Sequence, residues 1–382
     1  MIVRALEWRD WPGATDLYLA LYQELPSDPL LGIHLHERPP TRAEEATWFG
    51  HLCRQIWDGD AVATVAEDEG TIVGLCVIGV AEQSVEVRSI GILGVNVARG
   101  HRGRGVGRAL LEHALDQARV RFRVITLSVI AENSAGLALY TRLGFREWGR
   151  LPKGFQRGER WHELVRMWRE LEPPPGPTRV APPPALPPPP GAIPAGVTPV
   201  VRAIRWTDFA PTVGLYLDRY REVATNPALG VFTRHVPPTL GEEAEWFADL
   251  QRRILEQKAF ASVLEVGDGI GGLATVDASG DHVEDRHVGV LGIAIADGLR
   301  GQGFGRRLLD HVLAQCRVRF AIVTLNVLSS NDAARKLYAA AGFRDAGTVP
   351  AAFVRGGRAH ADDRMWIDLR STAPADPRSP PN

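Results

Sequence analysis

The sequence has little cysteine, no long apolar run and no excess of charge of either sign. Its 382 residues include three cysteines, Cys53, Cys76 and Cys316, which are too few and too dispersed for a disulfide framework or a cysteine-based zinc site. No run of about 18 apolar residues occurs, and the first residues lack the pattern of a secretory signal. These absences argue against secretion and membrane spanning, and they predict a cytoplasmic protein with no membrane partner.

The net charge is close to zero, so the chain as a whole has no electrostatic attraction for polyanions. Lys and Arg number 44, Asp and Glu number 45, and the formal net charge is −1. Proteins that bind nucleic acid mainly through phosphates carry a basic excess. The sequence therefore predicts no nucleic-acid partner, and any attraction for anions has to be local.

Proline, in contrast, is concentrated in one place. Residues 173–199 hold about half of the 28 prolines, and proline removes amide donors and fixes φ. Such a stretch favours extended polyproline conformation over helix or sheet. We predict a Pro-rich linker at 172–199.

The two flanks of this linker repeat each other without a gap. At a constant offset of 198, Trp8 pairs with Trp206 and Tyr140 with Tyr338, and roughly 73 of about 166 aligned positions are identical. Residues 3–168 are called copy 1 here and residues 201–366 copy 2. The repeat predicts one domain at 1–171, a second at 200–370, and a disordered tail at 371–382.

Within each copy the apolar spacing alternates between helical and strand periods. In copy 1 it predicts a first strand, two helices, a strand pair before and after the turn at 68–70, a central apolar strand over 88–97, and then helix, strand, helix and two more strands. This pattern is typical of an α+β domain with a mixed central sheet flanked by helices.

A glycine-rich segment follows the central strand in both copies. It reads Arg-Gly-Arg-Gly-Val-Gly at 102–107 and Arg-Gly-Gln-Gly-Phe-Gly at 300–305, and each opens a helix. A helix N-terminus offers unpaired amides and a positive dipole end, and glycine lets an anion approach the backbone. The segment predicts a phosphate site.

Spacing excludes two common phosphate motifs. A Walker loop needs Lys and Ser or Thr after its last glycine, but Arg108 and Arg306 stand there. A dinucleotide fingerprint needs glycine at the same two positions. What remains is the pattern Arg-x-x-Gly-x-Gly.

That pattern, between a strand and a helix, resembles the acyl-CoA-binding motif of the GNAT superfamily of N-acetyltransferases. A second motif of that family, Asn-x-x-Ala-x-x-Leu-Tyr-x-x-x-Gly-Phe, resembles the segments from Asn133 to Phe145 and from Asn331 to Phe343. The two motifs occur in order and in both copies. The resemblance covers nearly all of residues 1–170 and 200–370, and it implies two tandem GNAT-like domains, each with a splayed sheet.

The resemblance implies acetyl-CoA as co-substrate, with its diphosphate on the loop amides and its pantetheine arm along the preceding strand. The residues implied in copy 1 are Val95, Asn96, Val97, Arg102, Gly103, Arg104, Gly105, Val106, Gly107, Arg108 and Asn133. Those implied in copy 2 are Ile293, Ala294, Ile295, Arg300, Gly301, Gln302, Gly303, Phe304, Gly305, Arg306 and Asn331.

The implied reaction is direct attack of a primary amine on the thioester. Tyr140 and Tyr338 are implied as general acids for the leaving thiolate. The strand glutamate that many family members carry is absent, so Glu86 and Glu284, slightly upstream, are the candidate bases acting through water; an amine that arrives neutral needs none.

Three alternatives stay open at this point. The chain is an N-acetyltransferase with two working domains, an acyl-CoA-binding sensor or scaffold, or one catalytic domain supported by a degenerate one. The acceptor is a small-molecule or peptide amine, and the residues do not decide between monomer and homodimer. No metal site is predicted, because His34 and His36 have no counterparts at Phe232 and Arg234.

Overall fold

The structure is a computed structural model that describes residues 1–28, 30–31, 39–80, 89–157, 159–172, 184–226, 229, 237–279, 287–355 and 358–370. It divides into two compact units. Unit 1 comprises Met1–Pro184 with Leu240–Asp249, and unit 2 comprises Ala185–Thr239 with Leu250–Asn382. Part of the predicted linker (173–183) and the predicted tail (371–382) lie outside the described residues, so these boundaries stay predictions.

Copy 1 follows the element order that the apolar spacing predicts. Its elements are β1 (Ile2–Ala5), α1 (Trp11–Glu24), α2 (Arg42–Trp57), β2 (Ala61–Asp68), β3 (Thr71–Val80), β4 (Ile90–Val97), α3 (Val106–Ala118), β5 (Val124–Ile130), α4 (Ser134–Arg142), β6 (Arg146–Arg157) and β7 (Arg160–Glu170).

Copy 2 repeats this order. Its elements are β8 (Val200–Ala203), α5 (Phe209–Thr225), α6 (Leu240–Leu255), β9 (Ala259–Val266), β10 (Gly269–Ala278), β11 (Val288–Ile295), α7 (Phe304–Cys316), β12 (Ile322–Leu328), α8 (Asp332–Ala340), β13 (Arg344–Arg355) and β14 (Arg358–Asp368).

Each copy forms one seven-stranded sheet of mixed direction. The strand order is β1-β2-β3-β4-β5-β7-β6 in copy 1, and β8-β9-β10-β11-β12-β14-β13 in copy 2. The pair β4–β5 is parallel, as is β11–β12, whereas the other strand pairs are antiparallel. The predicted α+β class with a mixed sheet flanked by helices is confirmed.

The helix after the glycine loop packs on the centre of each sheet. In α3 the buried residues Leu110, Leu111, Ala114 and Leu115 recur at helical spacing, and they join Phe122 and Ile125 in one core cluster. The matching face of α7 is buried in copy 2. Burying one such leucine contributes about 1.5–3 kcal/mol, so this packing fixes where the loop ends and the helix begins.

The second half of the Pro-rich segment packs against unit 2. The Pro187 carbonyl lies so close to Gly214 of α5 that a Cβ there would overlap it, and the Gly191 carbonyl lies in the same way against Gly298. Glycine is required at both positions because only a residue without a side chain permits this approach. We call residues 185–191 the strap. Extended polyproline was expected of this segment, and its packing adds that the strap belongs to unit 2.

Among the described residues, no helix combines the length and the apolar character needed to cross a membrane. The three cysteines are unpaired and buried. Burial raises the pKa of the Cys76 thiol to about 12, and that of Cys316 to about 12.

Candidate active site

The parallel strand pair opens into a gap in both copies. Strands β4 and β5 are in register only from Ile90 to Ile92 and from Val124 to Thr126. In copy 2 the paired stretch is Val288–Val290 with Ile322–Thr324. Beyond it, the rest of β4 and of β11 presents a free edge towards the gap.

The direction of the backbone N–H and C=O groups decides which residues of β4 face the gap. In β4 the Ala98 amide donates to the Val73 carbonyl at 2.9 Å, so this N–H points to β3. Because successive residues point to opposite sides, Val95 and Val97 direct their N–H and C=O groups into the gap, and Asn96 directs its own to β3.

The corresponding hydrogen bond in copy 2 runs from the Ala296 amide to the Gly271 carbonyl at 2.9 Å. By the same alternation Ile293 and Ile295 face the gap, whereas the backbone of Ala294 faces β10. In the part of the chain that the structure describes, Val95 and Ile293 therefore offer both backbone groups to a ligand in the gap, whereas Val97 and Ile295 offer only the N–H, because arginine side chains donate to their carbonyls.

The glycine loop has a left-handed backbone at two positions in each copy. In copy 1 φ is +72° at Gly103 and +86° at Gly105; in copy 2 it is +73° at Gly301 and +81° at Gly303. L-residues avoid this region at a cost of roughly 1–2 kcal/mol. Glycine there turns the chain sharply enough to start α3 at Val106 and α7 at Phe304.

The first turn of each loop helix keeps its amides available. Among the described residues no side chain caps the N-terminus of α3 or α7, and a Cβ placed on Gly103, Gly105, Gly301 or Gly303 would meet no atom within 4 Å beyond the adjoining residues. Uncapped amides and the positive end of the helix dipole make this a site for an anion.

The first arginine of the motif turns back onto the strand. The Nε of Arg102 donates to the Val97 carbonyl at 2.8 Å, and its Nη2 lies 2.7 Å from Glu24 Oε2. In copy 2 the Nε of Arg300 donates to the Ile295 carbonyl at 3.1 Å, and its guanidinium pairs with Glu222. These arginines hold the loop against the strand end.

The other polar side chains of the loop are partly engaged. Arg108 pairs with Glu112 at 2.8 Å, and Arg306 pairs with Asp310 and donates to the Ala340 carbonyl at 2.8 Å. Gln302 donates to the Gly298 carbonyl at 3.0 Å. Arg104 is exposed. Backbone amides are thus the more available anion donors, since several side chains here already have partners.

A cavity of about 390 Å³ in unit 2 brings the copy 2 residues together. The predicted residues that line it are Ile293, Ala294, Ile295, Arg300, Gly301, Gly303, Gly305, Arg306, Asn331 and Tyr338. Strand edge, glycine loop and the helix α8 therefore meet at one cavity. Gln302 and Phe304 are not among its lining residues; Phe304 is buried in the core instead.

Seven lining residues were missed by the sequence analysis: Arg219, Leu229, Asn326, Val327, Ala333, Ala334 and Leu337. One of them left a signal. Arg219 follows Leu215 by four residues and precedes Val223 by four, so it is a charged residue on the buried face of α5. A buried arginine at such a position is expected to have polar partners that compensate for the burial of its charge.

The second motif places an asparagine and a tyrosine on α4 and on α8. Asn133 Oδ1 accepts from the Gly136 amide at 2.9 Å, and Asn331 Oδ1 accepts from the Ala334 amide at 3.1 Å. Each asparagine is thus an N-cap through its side-chain oxygen. Burial raises the pKa of Tyr140, and it raises the pKa of Tyr338 to about 12. Both hydroxyls therefore keep their protons at neutral pH.

The two candidate bases, Glu86 and Glu284, lie outside the described residues. No group of three or more potential metal ligands occurs within the part of the chain that the structure describes.

A sequence model of the Acetyltransferase (GNAT) family matches residues 20–145 and 231–343, which is more than half of the chain. The chain belongs to the GNAT acetyltransferase family. The two matched regions confirm the tandem arrangement, and the predicted enzyme class, acetyl-CoA-dependent acyltransferase, is confirmed with it.

Curated relatives cover one copy or less. An L-methionine sulfoximine/L-methionine sulfone acetyltransferase from Pseudomonas paraeruginosa is 29% identical over 148 residues, which is 38% of this chain and 82% of the relative. The L-amino acid N-acyltransferase MnaT of Escherichia coli is 29% identical over 109 residues, covering 28% of this chain and 63% of the relative. N-alpha-acetyltransferase 40 of Saccharomyces cerevisiae is 40% identical over 75 residues, or 18% of this chain and 26% of the relative.

Solved structures are similar over a single copy as well. A ribosomal-protein-alanine N-acetyltransferase from Brucella melitensis is 30% identical with a TM-score of 0.40, and it covers 45% of this chain and 100% of that one. The protein yncA from Salmonella typhimurium, solved with its cofactor acetyl-CoA, is 23% identical with a TM-score of 0.40, and the match covers 47% of this chain and 98% of that one.

Proposed function

We propose that each copy transfers an acetyl group from acetyl-CoA to a primary amine by direct attack, without a covalent enzyme intermediate. The observation that carries the proposal is the copy 2 cavity, where a free strand edge, an uncapped helix N-terminus and the Tyr338 side chain meet. A diphosphate, an amide-bearing arm and a leaving thiolate need these three features respectively. Copy 1 has the same strand edge and loop.

Different backbone groups would bind different parts of acetyl-CoA. The amides of residues 301–305 and the N-terminus of α7 would hold the diphosphate, because they are open, uncapped donors. The gap-facing amides of Ile293 and Ile295 would pair with the amide groups of the arm and polarise the acetyl carbonyl. Val95, Val97 and the loop at 103–107 would do the same in copy 1.

Acetyl-CoA supplies an activated thioester. The acceptor amine forms the C–N bond as the C–S bond breaks, and the hydroxyl of Tyr338 or Tyr140 donates its proton to the thiolate. Burial raises the pKa of both hydroxyls, so each keeps its proton at neutral pH and can donate a hydrogen bond to the sulfur as negative charge develops on it. The surplus amine proton leaves to Glu86 or Glu284 through water, or to solvent.

We propose a small-molecule amine, of the amino-acid class, as acceptor. Two relatives named above act on methionine sulfoximine and on L-amino acids, and each aligns over more of this chain than the N-alpha-acetyltransferase does. A peptide N-terminus is the alternative, and a panel that contains both classes decides between them by acetyl-CoA-dependent thiol release.

The proposal is tested by replacing the two tyrosines in the full chain. The double variant Tyr140→Phe/Tyr338→Phe is expected to lose turnover by about 100-fold or more, with its Kd for CoA unchanged. Tyr216→Phe, a tyrosine of α5 that does not line the cavity, is the matched control. Each single variant shows what its copy contributes, which addresses the case of one degenerate domain.

Full turnover in the double variant would overturn the acid role. Binding of CoA without any turnover, on every amine tried, would instead favour the sensor or scaffold.

A further inference from the structure

Asn326 is a polar residue of β12 that lines the copy 2 cavity and that the reaction described above does not use. Strands β11 and β12 are paired only as far as Val290 and Thr324, so Asn326 is two residues beyond the last pair, where the gap has opened. It is exposed. On the opposite side of the gap, Ile293 lines the same cavity. Asn326 therefore lies beside the place where the proposed reaction occurs.

The Asn326 side chain lies on the sheet face that is turned away from α7. Its neighbours Leu325 and Val327 are buried in the core cluster that contains the apolar face of α7, and successive residues of a strand point to opposite faces. Tyr338 belongs to that same cluster. The two faces of the gap therefore offer different groups, with Tyr338 on one face and Asn326 on the other.

An arginine stands next to Asn326 on the same face. In the antiparallel pair of β12 and β14, Asn326 is directly opposite Arg364, and side chains opposed in this way share a face, with Cβ atoms about 4.5–5.5 Å apart. Met365, the next residue along β14, is buried in the α7 cluster, which agrees with this direction. Arg364 does not itself line the cavity; it is the neighbour of a residue that does.

The Arg364 guanidinium is available to an anion. Its side chain is 56% exposed, and its acidic neighbour within the described residues, Asp362, lies 4.0 Å from Nε, which is beyond hydrogen-bond distance. Arg335 of α8, in contrast, lies 2.8 Å from Asp363 Oδ2. An arginine that is not hydrogen-bonded to a carboxylate keeps its planar fork of donors for another partner.

Copy 1 has the same arrangement with a shorter polar residue. Ser128 of β5 is directly opposite Arg166 of β7. The Arg166 guanidinium lies over the Trp148 ring, 5.7 Å from its centroid, and copy 2 has Ala346 in place of this tryptophan. An arginine thus stands one strand away from the gap in both copies, although the residues around it differ.

From this placement we infer that Arg364 and Asn326 form the copy 2 subsite for the carboxylate of an amino-acid acceptor. The inference rests on the proposed function, since it names the group of the acceptor that this site recognises. In an amino acid the amine and the carboxylate are bonded to the same carbon, so a carboxylate held beside the gap places the amine at the thioester. Arg364 supplies the charge and two parallel N–H donors, and the Asn326 amide supplies a further donor.

The consequence is a preference for acceptors with a free carboxylate. A free amino acid has one next to its amine, whereas its carboxamide and the first residue of a peptide do not. The subsite therefore favours the small-molecule acceptor over a peptide N-terminus.

The test uses the 382-residue chain with Gly105→Val, which strains the copy 1 loop and leaves copy 2 to turn over. The acceptor probes are L-amino acids, with L-methionine sulfone among them, and the α-carboxamide of each, which keeps the amine and the side chain. The measured quantity is the ratio of kcat/KM for the acid to kcat/KM for the carboxamide. Comparing this ratio between parent and variant cancels the difference in basicity between the two amines.

Arg364→Leu is expected to lower the ratio by about 10-fold or more through a higher KM for the acid, and to leave the KM for acetyl-CoA within about twofold. Asn326→Ser, which introduces the copy 1 residue, is expected to lower the ratio by about threefold. Arg364→Lys keeps the charge without the fork, so its ratio should fall between those of the parent and the leucine variant.

Arg344→Leu is the matched control. Arg344 is an exposed arginine of β13 that lies over the Trp366 ring, 5.7 Å from its centroid, and it does not line the cavity. Its loss is expected to leave the ratio unchanged.

An unchanged ratio in both Arg364→Leu and Asn326→Ser would overturn the inference and leave the proposed function standing. Equal losses with acid and carboxamide would also overturn it, because Arg364 would then only support the sheet. A parent that binds CoA but acetylates neither member of any pair would instead contradict the amino-acid acceptor of the proposed function. If Arg364→Leu does not fold, Arg364→Lys and Asn326→Ser decide.

Discussion

The two copies share a loop and differ in what holds it. In copy 1 a single arginine, Arg102, joins the strand end to Glu24 and Asp28. In copy 2 Arg300 and Arg219 share Glu222. The glycine backbone is the same within about 5° at both left-handed positions. The difference teaches that loop geometry comes from glycine and the helix start, whereas the surrounding charges are free to differ between the copies.

A second difference lies on the outer side of the loop. Gly298 of copy 2 lies against the strap, but Gly100, its equivalent in copy 1, has open space where a Cβ would stand. Gly298 is two residues before Arg300. The strap therefore supports the turn that leads into the copy 2 loop, and none of the described residues gives the same turn in copy 1 such support at Gly100.

The largest expected effect comes from the feature that the copies share. Gly303→Val places a β-branched residue at φ +81°, where it is strained and covers the loop amides. We expect CoA uptake by copy 2 to be abolished and uptake by copy 1 to be unchanged, with Gly105→Val giving the reverse. Calorimetric titration of the full chain measures both, and a Gly303→Val protein that still fills two sites would refute the shared role.

The contact between the strap and Gly298 predicts a smaller effect on stability, and only for the substitution in copy 2. Gly298→Ala is expected to destabilise the chain by about 3 kcal/mol, because a Cβ cannot fit against the Gly191 carbonyl. Gly100→Ala is the matched control, and it is expected to change the unfolding free energy by less than about 0.5 kcal/mol. Urea unfolding followed by tryptophan fluorescence gives both numbers. Equal effects in the two variants would mean that the strap contact does not stabilise unit 2.

The smallest effect concerns the buried tyrosines. Burial raises the pKa of Tyr338 to about 12, above the ordinary value of 10.0. Its contribution to stability is therefore complete below about pH 10 and is lost as the pH rises towards 12, since the unfolded chain releases the proton first. At pH 11 the loss is about 1.4 kcal/mol.

Tyr338→Phe removes this dependence, so the pH profile of its unfolding free energy should be flatter than that of the parent between pH 10 and pH 12. Tyr140→Phe should also flatten it, because the pKa of Tyr140 is raised as well. Parallel profiles for parent and Tyr338→Phe would show that the copy 2 hydroxyl is more open to water than its 7% exposure indicates.

Much of the fold follows from local patterns. The offset of 198 exposes the duplication, and the periodicity of Leu110, Leu111, Ala114 and Leu115 identifies the helix that packs on the sheet. The strand residues that face the gap and the glycine loop were predicted because the Arg-x-x-Gly-x-Gly motif resembles that of a known family.

What the sequence did not reveal depends on contacts distant along the chain. The pairing of Arg219 with the Ile295 carbonyl joins residues 76 positions apart, and the strap is recognised only by its packing on Gly214 and Gly298. The motif also predicted Arg102 and Arg300 as ligand-binding residues without showing that each first holds its own strand end. Such partners are set by tertiary packing, which periodicity does not encode.

Titration of the 382-residue chain with CoA tests the central claim most directly. The account predicts two CoA molecules bound per chain, with the copy 2 site lost in Gly303→Val and the copy 1 site lost in Gly105→Val. The account would be contradicted by a chain that binds no CoA, or by one whose CoA binding is unchanged by both substitutions.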